Sequence, residues 1–204
     1  MRPLRPLSRM VRLATPLAIV LALFLQSAAV AATAEVSIGD NFFNPTATRV
    51  KIGDSVHWTW TGIHNHSTTS DASMPYVWDS GIKASGDFTK AYTIAGKFTY
   101  HCSVHGSMTG SVSVAPKVKP TSGGIGTIFT ITYASAPIDG LGFTVVVQRQ
   151  DPGGTFTDFK TKTTGVAVKW DSTGFATGTY KFRVILKTAT KTSLASQAKT
   201  VSVG

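Results

Sequence analysis

Hydrophobic and polar residues alternate along most of the chain after residue 35, which is the pattern of β-strands that bury one face. Gly and Pro interrupt the alternation at short intervals, and neither half of the chain shows a clear amphipathic-helix period. The alternation predicts three strands in the first half, around residues 56–60, 98–102 and 112–114, and six in the second half, around 129–136, 143–150, 155–163, 166–170, 179–187 and 199–203. Short strands spaced this regularly predict an all-β protein made of two antiparallel β-sandwiches.

The first 34 residues follow a different pattern. Four arginines precede an apolar run over residues 17–25, and small residues continue from there to Ala34. A basic start, a short apolar segment and an Ala-x-Ala end are typical of a secretory signal peptide, whereas a retained membrane anchor would need about 20 apolar residues. We therefore expect cleavage near Ala34, with Ala31 or Ala32 as alternatives, and a protein that is secreted, periplasmic or associated with the cell envelope.

Charge is distributed unevenly along the 204 residues, whose net charge is +10. Residues 35–115 carry −1, residues 116–204 carry +7, and the stretch between the two halves is rich in Pro, Gly and Lys. This predicts a signal peptide (1–34), a first domain (35–115), a linker (116–124) and a second domain (125–204). The basic second domain lacks a basic motif interleaved with aromatic residues, so we expect no nucleic-acid binding. Electrostatic association with the cell envelope is the alternative role for its charge.

All five histidines and the single cysteine lie in the first predicted domain. One cysteine excludes an internal disulfide. Cys102, His105 and Met108 stand three residues apart after a predicted strand. A thiolate, an imidazole and a thioether, joined by a second imidazole, suit copper, whereas zinc sites rarely use Met. The second imidazole must come from elsewhere in the chain, and both His64 and His66 are candidates.

These segments resemble the cupredoxins, the small blue copper proteins of the plastocyanin, amicyanin and halocyanin type. The likeness covers residues 36–115 and rests on an ordered set of motifs: "GDSVHWTW", "HSTTSD", "WDSG", "GDFTKAYTIAGKFTYHC" and "HGSMTGSVSV". It implies a Greek-key β-sandwich with one type 1 copper ion bound by His66, Cys102, His105 and Met108, with His64 as the alternative to His66. It also implies that Ser67 ties the two ligand loops together.

The resemblance implies an electron carrier rather than an enzyme, and the remaining histidines are too few to bind a second copper cluster. The implied partner is a redox protein that docks transiently near His105 on a monomer. Copper buffering and adhesion to the cell envelope are the alternative functions. His57 and His101 lie on the strand face opposite the predicted core, so we interpret both as polar surface residues. The second domain is similar to a fibronectin type III or immunoglobulin-like sandwich.

Overall fold

The computed structural model describes residues 31–204. Most of the predicted signal peptide, up to Val30, lies outside the described residues, so export and cleavage stay predictions. Of the expected cleavage positions, Ala34 lies inside the first strand, whereas Ala31 and Ala32 precede that strand. Within residues 31–204, no helix has the length and apolar character that are needed to cross a membrane.

The described residues form sixteen β-strands. The first eight are β1 (Thr33–Gly39), β2 (Phe42–Asn44), β3 (Ala47–Lys51), β4 (Ser55–Trp60), β5 (Thr69–Ser70), β6 (Asp87–Ala91), β7 (Gly96–His101) and β8 (Thr109–Ala115). The other eight are β9 (Lys117–Lys119), β10 (Ser122–Gly123), β11 (Ile128–Thr132), β12 (Thr144–Gln150), β13 (Phe156–Lys162), β14 (Ala167–Asp171), β15 (Gly178–Lys187) and β16 (Lys199–Val203).

Strands β1 to β8 make two four-stranded sheets, in the orders β2-β1-β4-β6 and β3-β8-β7-β5. The buried face of β4 carries Val56, Trp58 and Trp60, and the buried face of β7 carries Phe98 and Tyr100. Most of the pairs are antiparallel, but β1 pairs with β4 and β3 pairs with β8 in parallel. Parallel pairs require connections longer than a hairpin turn, so each sheet draws on strands that are distant in the chain.

Strands β9 to β16 make a three-stranded sheet, β14-β11-β9, and a five-stranded sheet, β10-β16-β15-β12-β13. Phe129 and Trp170 stack with ring centroids 5.2 Å apart, and Tyr180 packs 4.6 Å from Trp170. The hydroxyl of Tyr180, whose side chain is buried, donates a hydrogen bond of 2.7 Å to the carbonyl of Ala176. Aromatic contacts therefore fill the core of this half.

The all-β, β-sandwich prediction is confirmed, and each of the six strands predicted in the second half overlaps an observed strand. The predicted linker, residues 116–124, contains β9 and β10. Main-chain hydrogen bonds also join the halves: the N–H of Ala95 donates to Tyr133 at 2.7 Å, and the N–H of Ser135 donates to Thr93 at 2.9 Å. The division into domains and the immunoglobulin-like or fibronectin-like character of residues 125–204 stay predictions.

Candidate metal centre

The loop between β7 and β8 carries Cys102, His105 and Met108. Side chains alternate along β7, so Cys102, two residues after the buried Tyr100, points into the sandwich. Three main-chain hydrogen bonds fix the loop: Cys102 N–H to Met108 O at 2.9 Å, Met108 N–H to His105 O at 2.9 Å, and His105 N–H to Cys102 O at 3.3 Å. The pairing of two neighbouring strands therefore determines where these side chains lie.

The structure brings His66, Cys102 and His105 together, with one donor atom from each residue lying within 4.8 Å of the others. The Cys102 Sγ atom is 3.7 Å from Nδ1 of His66 and 3.6 Å from Nδ1 of His105. A metal about 2.3 Å from sulfur and about 2.0–2.1 Å from nitrogen, with angles near 120°, places the two donors about 3.7–3.8 Å apart. The two sulfur–nitrogen distances therefore fit a single metal ion bound by all three residues.

Burial differs among the four predicted ligands. His66 and Cys102 are 0% exposed, Met108 is 1% exposed, and His105 is half-buried. The sulfur of Cys102 also accepts a hydrogen bond from the main-chain N–H of Ser67 at 3.4 Å. This hydrogen bond links the sulfur of Cys102 to the loop that carries His66. The site is thus shielded from water except at the His105 edge.

His64, the alternative to His66, lies outside this donor cluster. Its side chain is 64% exposed, and its Nδ1 atom is 3.0 Å from Oδ1 of Asp40. His66 lies two residues further along the chain, at a buried position. The structure therefore brings His66, and not His64, to the thiol of Cys102.

Asp40, at the end of β1, is a neighbour of the site that the sequence did not indicate. Its Oδ1 atom accepts main-chain hydrogen bonds from Ile63 and His64, each at 3.0 Å, and lies 3.5 Å from Nε2 of His66. That nitrogen is buried and has no hydrogen-bond partner among the described residues, since its 3.5 Å approach to Asp40 does not meet hydrogen-bond geometry. The main-chain N–H of His64 contributes most to lowering the pKa of Asp40 to about 2.

The hydroxyl of Ser67 connects the two ligand loops. Its Oγ atom accepts a hydrogen bond from the main-chain N–H of Ser103 at 2.9 Å and lies 2.9 Å from Oγ of Ser103. It also lies 2.8 Å from Oγ1 of Thr69. Ser67 is fully buried and follows His66, and Ser103 follows Cys102. This hydroxyl therefore links the loops that carry these two predicted ligands.

His57 and His101 lie on the opposite strand face, and each contacts a carboxylate. The Nδ1 atom of His57 is 2.8 Å from Oε2 of Glu35, and the Nδ1 atom of His101 is 2.7 Å from Oδ1 of Asp71. Both imidazoles are about one-third exposed or less, at 29% and 34%. Their carboxylate partners give both side chains a role on the outer surface of the sheets, away from the donor cluster.

Comparison with known proteins finds similarity to solved structures of cupredoxins. No family model matches the chain, and no curated protein matches it. A purple cupredoxin from Nitrosopumilus maritimus is 22% identical over 40% of this chain and 98% of its own, with a TM-score of 0.36. A reduced mutant of amicyanin is 23% identical over 44% of this chain and 86% of its own, with a TM-score of 0.37. An oxidised mutant of amicyanin is 26% identical over 44% of this chain and 87% of its own, with a TM-score of 0.36.

Proposed function

We propose that this chain is an exported type 1 copper protein that carries single electrons between redox partners. The observation that carries the proposal is the convergence of two imidazoles and one thiol, those of His66, His105 and Cys102, of which His66 and Cys102 are fully buried. A copper ion bound there supplies a one-electron couple, because this donor set is a compromise between the preferences of Cu(I) and Cu(II). The roles of the residues follow from where each one lies.

Cys102, His66 and His105 would hold the copper ion, and the thioether of Met108 would add a weak fourth ligand. The loop places Met108 in the buried interior three residues after His105. A thioether favours copper over zinc, whose sites rarely include Met. The buried surroundings keep water from the ligands, which helps to set the reduction potential and limits rearrangement when an electron arrives.

His105 would be the route by which electrons leave. It is the half-buried member of the donor set. Val104, which precedes it in the chain, is 45% exposed, and Ile63, whose main-chain N–H donates to Asp40 beside His66, is 83% exposed. A small apolar surface around a partly exposed ligand suits a brief encounter, as in weak redox complexes. We propose that a redox protein docks at this edge of a monomeric chain.

A copper titration of the purified protein, followed by optical and EPR spectroscopy, tests the proposal. Stoichiometric uptake with the intense visible absorption and narrow hyperfine splitting of a thiolate–copper site is expected. His66→Gln should abolish that absorption, and His64→Gln, the matched control two residues away, should retain it. Loss of the absorption in both variants, or in neither of them, would contradict the proposed ligand set.

Electron transfer is separable from copper buffering, the alternative function. A carrier exchanges electrons rapidly between its Cu(I) and Cu(II) forms, because its ligands are already positioned for both. A buffering protein binds one form tightly and exchanges electrons slowly. Line broadening in NMR spectra of mixed oxidised and reduced protein measures the self-exchange rate, and a slow rate with intact blue absorption would favour buffering.

A further inference from the structure

A cleft of about 580 Å³ opens where the ends of β3 and β8 meet β9 and β16. Its apolar floor includes Val50, Pro116 and Val118, all of which are buried. Clefts of about 300–1,000 Å³ with apolar walls and a few polar groups are the usual size for small-ligand sites. The cleft therefore has the volume and the lining to hold a ligand with an apolar body.

Five basic side chains line this cleft, and all of them are exposed: Arg49, Lys51, Lys117, Lys119 and Lys199. Within residues 31–204, none of the five forms an ion pair with a carboxylate. Asp54 is the one acidic residue among those lining the cleft, and its two oxygens accept main-chain hydrogen bonds from Ala32 at 3.0 Å and Lys51 at 2.8 Å. The positive charge of the cleft is therefore not neutralised locally.

The basic residues come in pairs that share a strand face. Arg49 and Lys51 are two residues apart on β3, and Lys117 and Lys119 are two residues apart on β9. Residues at this spacing point to the same side, with Cα atoms about 6–7 Å apart. Two such pairs facing one cleft present several donors to a single anionic group with more than one oxygen acceptor.

The cleft lies at the end of the first sandwich that is remote from the candidate metal centre. Strand β8 begins directly after Met108 and ends at Ala115, which lines the cleft. Seven strand residues span about 20 Å. A ligand in the cleft would therefore leave the His105 edge accessible.

We propose that this cleft is a binding site for a phosphate-bearing ligand with an apolar body. The lysine and arginine pairs would bind the negatively charged phosphate oxygens, and the floor of Val50, Pro116 and Val118 would cover the apolar part. A free phosphomonoester and the headgroup of an anionic phospholipid share this chemistry. The site requires neither copper nor an electron-transfer partner, so it goes beyond the function proposed above.

Calorimetric titration of the copper-loaded protein with phenyl phosphate tests the site, and co-sedimentation with phosphatidylcholine vesicles with and without phosphatidylglycerol identifies the source. The cleft variant combines Lys117→Glu with Lys119→Glu. The matched control combines Lys169→Glu with Lys181→Glu, which makes the same change in charge at exposed positions outside the cleft. Retention of the blue absorption shows that each variant is folded.

Phenyl phosphate binding should weaken at least about tenfold in the cleft variant and change less than about twofold in the control. Parallel loss of binding to phosphatidylglycerol vesicles in the cleft variant alone assigns the site to lipid headgroups. Vesicle binding that is absent, or equal in both variants, assigns the site to a soluble phosphomonoester. Failure of the unmodified protein to bind phenyl phosphate, or equal weakening in both variants, overturns the proposal.

Discussion

Replacement of Ser67 by Ala should destabilise the protein at the point where the two ligand loops meet. The substitution removes only an oxygen, and that oxygen accepts the main-chain N–H of Ser103 at 2.9 Å. It also removes the hydroxyl contacts with Ser103 and Thr69, at 2.9 and 2.8 Å. The main-chain N–H of Ser67 and its hydrogen bond to Cys102 Sγ are retained, so the thiol keeps its donor.

The magnitude depends on which groups can recover a partner. The hydroxyl of Ser103 belongs to an exposed residue and can turn to water, and Thr69 keeps its hydrogen bond to Asp79 at 2.9 Å. The N–H of Ser103 loses an acceptor that is fully buried. An unsatisfied donor costs about 1–3 kcal/mol, and a chain of this size loses about 2–4 °C of melting temperature per kcal/mol. We therefore expect a decrease of about 2–12 °C in the melting temperature.

Thermal unfolding followed by circular dichroism, with and without copper, measures this decrease. The matched control is Ser103→Ala, which removes a hydroxyl from the same pair and leaves the Ser103 N–H bonded to Ser67. The control should lose about 0.5–1.5 kcal/mol at most. The Ser67 variant should also release copper faster to a chelator, because its ligand loops are no longer tied together. If Ser67→Ala is no more destabilising than Ser103→Ala, the oxygen of Ser67 does not hold the loops.

Three further changes test other contacts. Cys102→Ala should abolish the visible absorption of the copper-loaded protein while the apo protein still unfolds cooperatively by circular dichroism; surviving colour would contradict the thiolate assignment. Asp40→Asn should raise the reduction potential measured by voltammetry, because a negative charge near the ligands favours Cu(II) over Cu(I). The pKa of Asp40 is about 2, against the usual 3.8, so its ionised carboxylate stabilises the apo protein above pH 4, and this stabilisation is lost as the pH falls toward 2. In urea unfolding, the free energy of unfolding of Asp40→Asn should therefore not show this loss between pH 4 and pH 2. Tyr180→Phe should lose about 0.5–1.5 kcal/mol in urea unfolding by removing the bond to Ala176, and an unchanged midpoint would show that this bond adds nothing.

Alternation locates best the strands that bury one whole face, whereas five of the eight strands in the first half, β1, β2, β3, β5 and β6, were not predicted. Trp58 and Tyr100 occupy inward positions that the period-two pattern marks, and alternation alone locates β4 and β7. Which strands pair with each other could not be predicted from the alternation. The parallel contact of β1 with β4 and the crossing hydrogen bonds of Ala95 with Tyr133 join residues that are distant in the chain, and no local pattern specifies such partners.

In the candidate site too, residues close together in the chain could be predicted, whereas residues brought together by folding could not. Cys102, His105 and Met108 lie within seven residues of one another, so their spacing alone predicted a ligand loop. The choice between His64 and His66 depends on which of the two is buried. Only the folded structure shows that His64 is exposed and that His66, two residues later, is buried. Asp40 could not be found from the sequence, because nothing local connects the end of β1 with an imidazole 26 residues later.

The geometry of the donor cluster depends on the register of one strand pair. Cys102 directly follows β7 and Met108 directly precedes β8, and His101 pairs with Thr109 as Tyr100 pairs with Gly110. A slip of one residue would turn every side chain of β7 to the other face, exposing Cys102 and burying His101. Gly110 fixes the register further, because a Cβ atom there would lie 2.3 Å from the ring of Tyr100. The large ring that fills the core and the thiol that would bind copper are therefore held on the same face by the same strand pairing.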